Sequence, residues 1–153
     1  MATIARSVPS PRVMGLVNPM VKFIVNRGCP PVAKQLMVLH WTGRKSGRAF
    51  STPVSRLEHD GRLFTKTRAG YKHNFIGGGP AELVLDGERR KFVATAVESP
   101  DAVAERMRSV LDELGTRKGA RAFGLKIEGN PTKAELAAFA AEDGSVVIDF
   151  EPV

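Results

Sequence analysis

The chain has little of what supports catalysis by side chains alone. Its single cysteine, Cys29, allows no internal disulfide, so nothing demands an oxidising compartment and the cytoplasm is the expected location. The three histidines, His40, His59 and His73, stand apart, with no partner at the i, i+4 or C-x-x-C-type spacing of a metal site, and no metal is expected. Neither a G-x-S-x-G elbow nor a Walker loop occurs. No apolar run approaches the roughly 18 to 20 residues of a spanning helix. The opening "MATIARSVPSPRVMGLVNPM" lacks the apolar core and cleavage site of a signal peptide.

Acidic residues are also scarce, but only in the first half. Residues 1–73 hold 13 Lys and Arg against Glu58 and Asp60, a net +11, while residues 74–153 hold 10 against 14, a net −4. The overall +7 is therefore local, and it implies an anionic partner for the first half: a phosphorylated cofactor, a nucleic acid or an anionic lipid surface.

What is present suits one globular domain over residues 1–153, with 42% hydrophobic and 25% charged residues. Residues 1–17 read as a flexible segment. Asn18 and Pro19 open an apolar helix over 18–27, "NPMVKFIVNR", which Gly28 can end. With Arg12, Lys22 and Arg27 around it, this helix either packs on the core or rests on the inner face of a membrane. Strands follow over 35–98: "QLMVLHW", then "FSTPVSRL", then runs hinged at Asp60-Gly61 and Asp86-Gly87, the turn pair that requires positive φ. This makes five strands by Glu98.

Helices are expected over 100–141. The first runs from Pro100 to Leu114 with a stripe of Val103, Met107, Val110, Leu111 and Leu114, and the second is capped by Asn130 or by Thr132 with Glu135. A strand over 145–151 returns to the sheet. The fold class is mainly β with helices (α+β): a six-stranded antiparallel barrel, closed or nearly so, covered by helices.

Two basic stretches lie at strand ends. In "TGRKSGR", Gly43 and Gly47 allow a tight turn, and Arg44, Lys45, Ser46 and Arg48 offer donors with no acid among them. Residue types alone fit a phosphate grip and an exposed basic turn equally. In "TKTRAGYKHN", Arg68, Lys72 and Asn74 add donors, and a meander can bring this stretch beside the first.

"VLHWTGRKSGRAFSTPVSRLEHDGRLF", followed by "TRAGYKHNFIGGGPAELVLDG", resembles the deazaflavin-dependent oxidoreductases, the nitroreductase and quinone-reductase branch of the split-barrel flavoprotein-like superfamily. The composite is TGRKSG, a strand with proline, a D-G hairpin and N-x-x-x-x-x-P. The resemblance implies a six-stranded split barrel that binds coenzyme F420 (8-hydroxy-5-deazaflavin) and passes a hydride to a quinone, a nitro compound or an activated C=C bond. It assigns Arg44, Lys45 and Ser46 to the phosphate and acidic tail. Phe50, Ser51, Thr52, Pro53, Val54 and Ser55 would line the ring through backbone groups, with Thr65, Lys66, Thr67 and Arg68 as the other wall. Tyr71, Lys72, His73 and Asn74 would close over it.

No catalytic acid is named by the resemblance; a proton comes from solvent or Tyr71. "YKH" stands where nitroreductase members carry a tryptophan before the asparagine, and Tyr71 is the chain's sole tyrosine. The alternatives are a flavin-mononucleotide (FMN) reductase on the same barrel and a non-catalytic binder of lipid or haem. Nucleic acid is not an expected partner, and the chain is read as a monomer or homodimer.

Overall fold

The computed structural model describes residues 2–6 and 36–153. The helix expected over 18–27, Cys29 and nearly all of the segment 1–17 lie outside the described residues.

Alternation of apolar and polar residues builds the centre of the molecule. β2 (Leu36–Thr42), β3 (Ala49–Ser55), β4 (Leu57–His59), β5 (Arg62–Thr67), β6 (Gly79–Leu85), β7 (Glu88–Val97) and β9 (Val146–Pro152) form one antiparallel sheet, ordered β3-β2-β6-β7-β9-β5-β4. The sheet curls into a half-barrel whose edge strand β3 comes alongside β5. Both aspartate–glycine turns form as the sequence predicts. Asp60 and Gly61 have φ of 54° and 75°, Asp86 and Gly87 of 52° and 82°, and each pair closes a two-residue hairpin.

Seven strands, not the expected six, make this sheet. The run read as one strand, "FSTPVSRL", breaks at Arg56: β3 pairs with β2, while β4 pairs with β5 at the opposite edge. Arg56 is anchored there, its guanidinium donating to Asp86 at 2.9 and 3.3 Å and to Glu58 at 3.3 Å. A single residue thus carries the chain from one sheet edge to the other. The sequence marks the bend only by two successive polar residues, Ser55 and Arg56, between Val54 and Leu57.

Each face of the sheet has its own core. Met37, Leu39, Val54, Phe75, Leu83, Phe92, Ile148 and Phe150 fill the concave side. On the other, Leu57, Phe64 and Val147 meet α1 (Pro100–Leu114) and α3 (Lys133–Asp143) through Val103, Met107, Leu111 and Leu136. The α1 stripe is buried as its spacing predicts, except for Leu114, which is 45% exposed. Arg106 on α1 reaches back to the sheet, paired in two bonds with Asp149 at 2.6 and 2.9 Å and lying over the Phe64 ring. Of the two expected caps for α3, Thr132 is the one used, in a reciprocal capping box with Glu135.

Two elements differ from expectation. Within the span 100–141 expected to hold two helices, the chain adds a third, α2 (Thr116–Ala122), and a strand, β8 (Leu125–Glu128), which pairs with β1 (Thr3–Arg6) in a separate two-stranded sheet. Gly119 explains the weak helix signal. A Cβ there would lie 2.6 Å from Leu111 Cδ2, so close packing of α2 on α1 selects the residue that propensity disfavours.

Two substitutions separate core from face. Ile148→Ala, at a fully buried site in β9, is expected to lower unfolding free energy in urea by about 2–5 kcal/mol. Val93→Ala, at an exposed site in β7, should cost less than about 1 kcal/mol.

Candidate functional site

The glycine-bracketed loop leaves β2 at Thr42 and enters β3 at Ala49. It closes on itself, with Gly43 N donating to Arg48 O at 2.8 Å, Gly47 N to Gly43 O at 3.0 Å, and Arg48 N to Ser46 Oγ at 3.2 Å. Lys45, Ser46 and Arg48 are exposed. Among the described residues, neither Lys45 nor Arg48 has a carboxylate partner.

The second basic stretch does return to this loop, through residues of its short 3-10 helix (Gly70–Phe75). Asn74 Oδ1 accepts from Arg44 N at 2.8 Å, and Asn74 Nδ2 donates to Tyr71 O at 2.9 Å. The Arg44 guanidinium continues past it, with Nη2 donating to Ile76 O at 2.9 Å and to Gly78 O at 3.5 Å. Gly79 keeps this junction tight, since a Cβ there would stand 3.0 Å from Asn74 O.

Beneath the junction lies an aromatic cluster. Trp41 and Phe50 are direct partners across β2 and β3, stacked with centroids 5.5 Å apart and planes at 20°. Tyr71 lies 5.0 Å from Trp41, and Phe75 meets it edge-on at 6.3 Å. Arg48 covers the outer side of Phe50, 5.9 Å from its centroid. Trp41 Nε1 is buried without a hydrogen-bond partner among the described residues. Burial raises the Tyr71 hydroxyl above its ordinary value of 10.0, with a bond to the Thr67 side chain pulling the other way.

The other expected residues divide. Thr52 and Val54 share the concave face with Trp41, whereas Ser51, Pro53 and Ser55 alternate to the opposite face. Any common role for Phe50–Ser55 falls to the backbone of β3, the end strand of the sheet among the described residues. Thr65 and Thr67 point to the concave side with Ile148 and Val146.

The remaining cations go elsewhere. Lys66, its side chain 7% exposed, lies 4.0 Å from Asp143 between the rings of Phe123 and Phe139, and burial lowers its pKa. Arg68 also approaches Asp143, at 3.9 Å, and Lys72 Nζ donates to Gly144 O at 2.8 Å, capping α3. His73 is exposed. So Lys66, Arg68 and Lys72 hold the end of α3 against β5, and the positive charge facing the junction comes from the first loop.

Trp41 is the residue that sequence reasoning left out of the site. Its signal was present: it lies two and four residues from Leu39 and Met37, on the same strand face. A cavity of about 410 Å³ adjoins the cluster, lined in part by Trp41, Phe50, Pro80, Lys91 and Phe92; of the expected cofactor residues only Phe50 lines it. Among the described residues no group of His, Cys, Asp and Glu could hold a metal, and no helix is long and apolar enough to cross a membrane.

No protein-family model matches the chain, and no curated protein matches it. Among solved structures, one described as a domain-swapped dimer is similar with a TM-score of 0.45 and 14% identity, over 93% of this chain and 100% of that one. A second, an FAD-binding protein from Mesorhizobium loti, is similar with a TM-score of 0.38 and 13% identity, over 100% of this chain and 94% of that one. Likenesses at this level assign no ligand to this chain.

Tyr71 offers a clean optical test, being the only tyrosine. Its phenolate absorbance should appear at higher pH in the folded than in the unfolded chain, and Thr67→Val should move it higher still. Because the folded value is raised, the stability that Tyr71 contributes is complete below pH 10.0 and is lost as pH rises through the folded value. Coincident folded and unfolded titrations would contradict the burial argument.

Proposed function

We propose that this protein is a split-barrel oxidoreductase of the flavoprotein-like kind that binds coenzyme F420 and serves hydride transfer to a small electrophilic acceptor. The observation that carries the reading is the bond from Arg44 N to Asn74 Oδ1, which brings the two stretches of the family-like composite together over the Trp41–Phe50–Tyr71 cluster. Three features fit a planar, acidic-tailed ligand. Lys45 and Arg48 are exposed cations with no carboxylate partner among the described residues. β3, the end strand of the described sheet, offers its backbone to the site. Trp41 Nε1 is a buried donor with no acceptor among the described residues, and a ligand carbonyl could supply one.

When bound, the deazaflavin supplies a hydride from its C5 to a quinone, a nitro compound or an activated C=C bond. The chain's own residues supply position and electrostatics. Lys45, Arg48 and the Ser46 hydroxyl receive the phosphate and acidic tail. Trp41, Phe50 and Phe75 exclude water beside the ring. The proton for the reduced acceptor comes from solvent or from the Tyr71 hydroxyl, which burial makes a weaker acid than a free phenol.

Titration of the purified protein with F420 and with FMN, followed by Trp41 fluorescence, tests the reading. F420 should bind, and Lys45→Glu should weaken it by about tenfold or more, with a loss that shrinks at high salt. Binding of FMN without F420 would transfer the site to the flavin reductases. Binding of neither would remove the redox reading.

A further inference from the structure

Arg44 belongs by its motif to the anion-binding loop, yet its hydrogen-bonding groups point along the chain instead. Its backbone N–H is taken by Asn74 Oδ1, and Nη2 by the carbonyls of Ile76 and, more weakly, Gly78. These acceptors bracket the segment from the 3-10 helix to the start of β6, the same segment that sets Tyr71 and Phe75 against Trp41. Gly79, where β6 begins, lies within reach of the same guanidinium, 3.9 Å from Nη2 to the position of a Cβ. Among the described residues no other side chain of the loop bonds to this segment: Ser46 Oγ accepts from Arg48 N, and Arg48 lies over Phe50.

We propose that Arg44 is a positioning residue that pins residues 74–78 to the basic loop and so keeps the Trp41–Tyr71 wall closed, leaving recognition of the anion to Lys45 and Arg48. An exposed arginine bonded to two backbone carbonyls is suited to this task. Both bonds leave from one nitrogen, Nη2, whose two N–H groups face the carbonyls of Ile76 and Gly78, so the end of a single side chain holds two points of the segment. Carbonyl acceptors also leave its charge uncompensated, so it adds to the positive field without having to touch the ligand.

The consequence for binding rests on the functional reading above, but the closure of the wall does not. The chain has one tryptophan, so quenching by neutral acrylamide reports on Trp41 alone, with no cofactor present. Arg44→Ala in the full chain should raise the quenching constant about twofold as the ring opens to solvent. Arg44→Lys should fall between the two. Lys45→Gln should quench like the wild type. In F420 titrations, Arg44→Ala should lose about tenfold in affinity at low salt and keep most of that loss at high salt, where only its share of the positive field is screened, whereas the loss in Lys45→Gln should fade as salt rises.

Wild-type quenching in Arg44→Ala, or an equal rise in Lys45→Gln, overturns the assignment. Circular dichroism checks that each variant is folded. Should Arg44→Ala fail to fold, Arg44→Met, which keeps the apolar stem and removes the donors, decides by the same criterion. A wild-type protein that binds no F420 removes the functional reading while the quenching comparison still decides the role of Arg44.

Discussion

β9 is the strand on which the rest of the sheet depends. It pairs with β7 on one side and β5 on the other, so among the described strands it alone hydrogen-bonds the β4–β5 hairpin to the rest of the sheet. Its alternate side chains also feed both cores: Ile148 and Phe150 on the concave side, Val147 toward the helices. Its partners lie some fifty to ninety residues earlier in the chain, pairings whose closure entropy must be met before they contribute. Once β9 is in place, β5 lies alongside β3, and the gap between them becomes the open side of the half-barrel.

That gap explains how an ordinary basic turn becomes part of a site. The loop after β2 projects from the edge of the sheet, and the 3-10 helix after β5 arrives from the far side of the curl. Their meeting is made by an amide side chain and a guanidinium bonding to each other's segments, not by opposite charges. Such a contact consumes no net charge. Lys45 and Arg48 therefore keep their field, while the charges of the second stretch are largely spent on Asp143 and the C-terminus of α3.

Much of the local structure was legible in the residues. Asp60-Gly61 and Asp86-Gly87 mark their turns because few residue pairs tolerate positive φ, and Thr132 with Glu135 marks a helix start by reciprocal bonding. The buried stripe of α1 follows from spacing. Less legible were α2, where close packing on Leu111 requires Gly119 against its propensity, and the bend at Arg56, where a single doubled polar step, Ser55-Arg56, accompanies the change of partner strand.

For the site, residue types and family likeness marked both basic stretches, and the topology brought Arg44 and Asn74 together. They could not tell that Lys66 and Lys72 turn toward α3, because a lysine's long stem reaches either side of a strand end. By itself the sequence determined the turns, the caps, the strand faces and the excess of cations in its first half. These depend on neighbours within a few residues. Only the tertiary structure decided which cations face the junction, which aromatic rings lie under it and what Arg44 holds. Each of those depends on where distant strands return, a matter of long-range pairing and packing that local pattern does not encode.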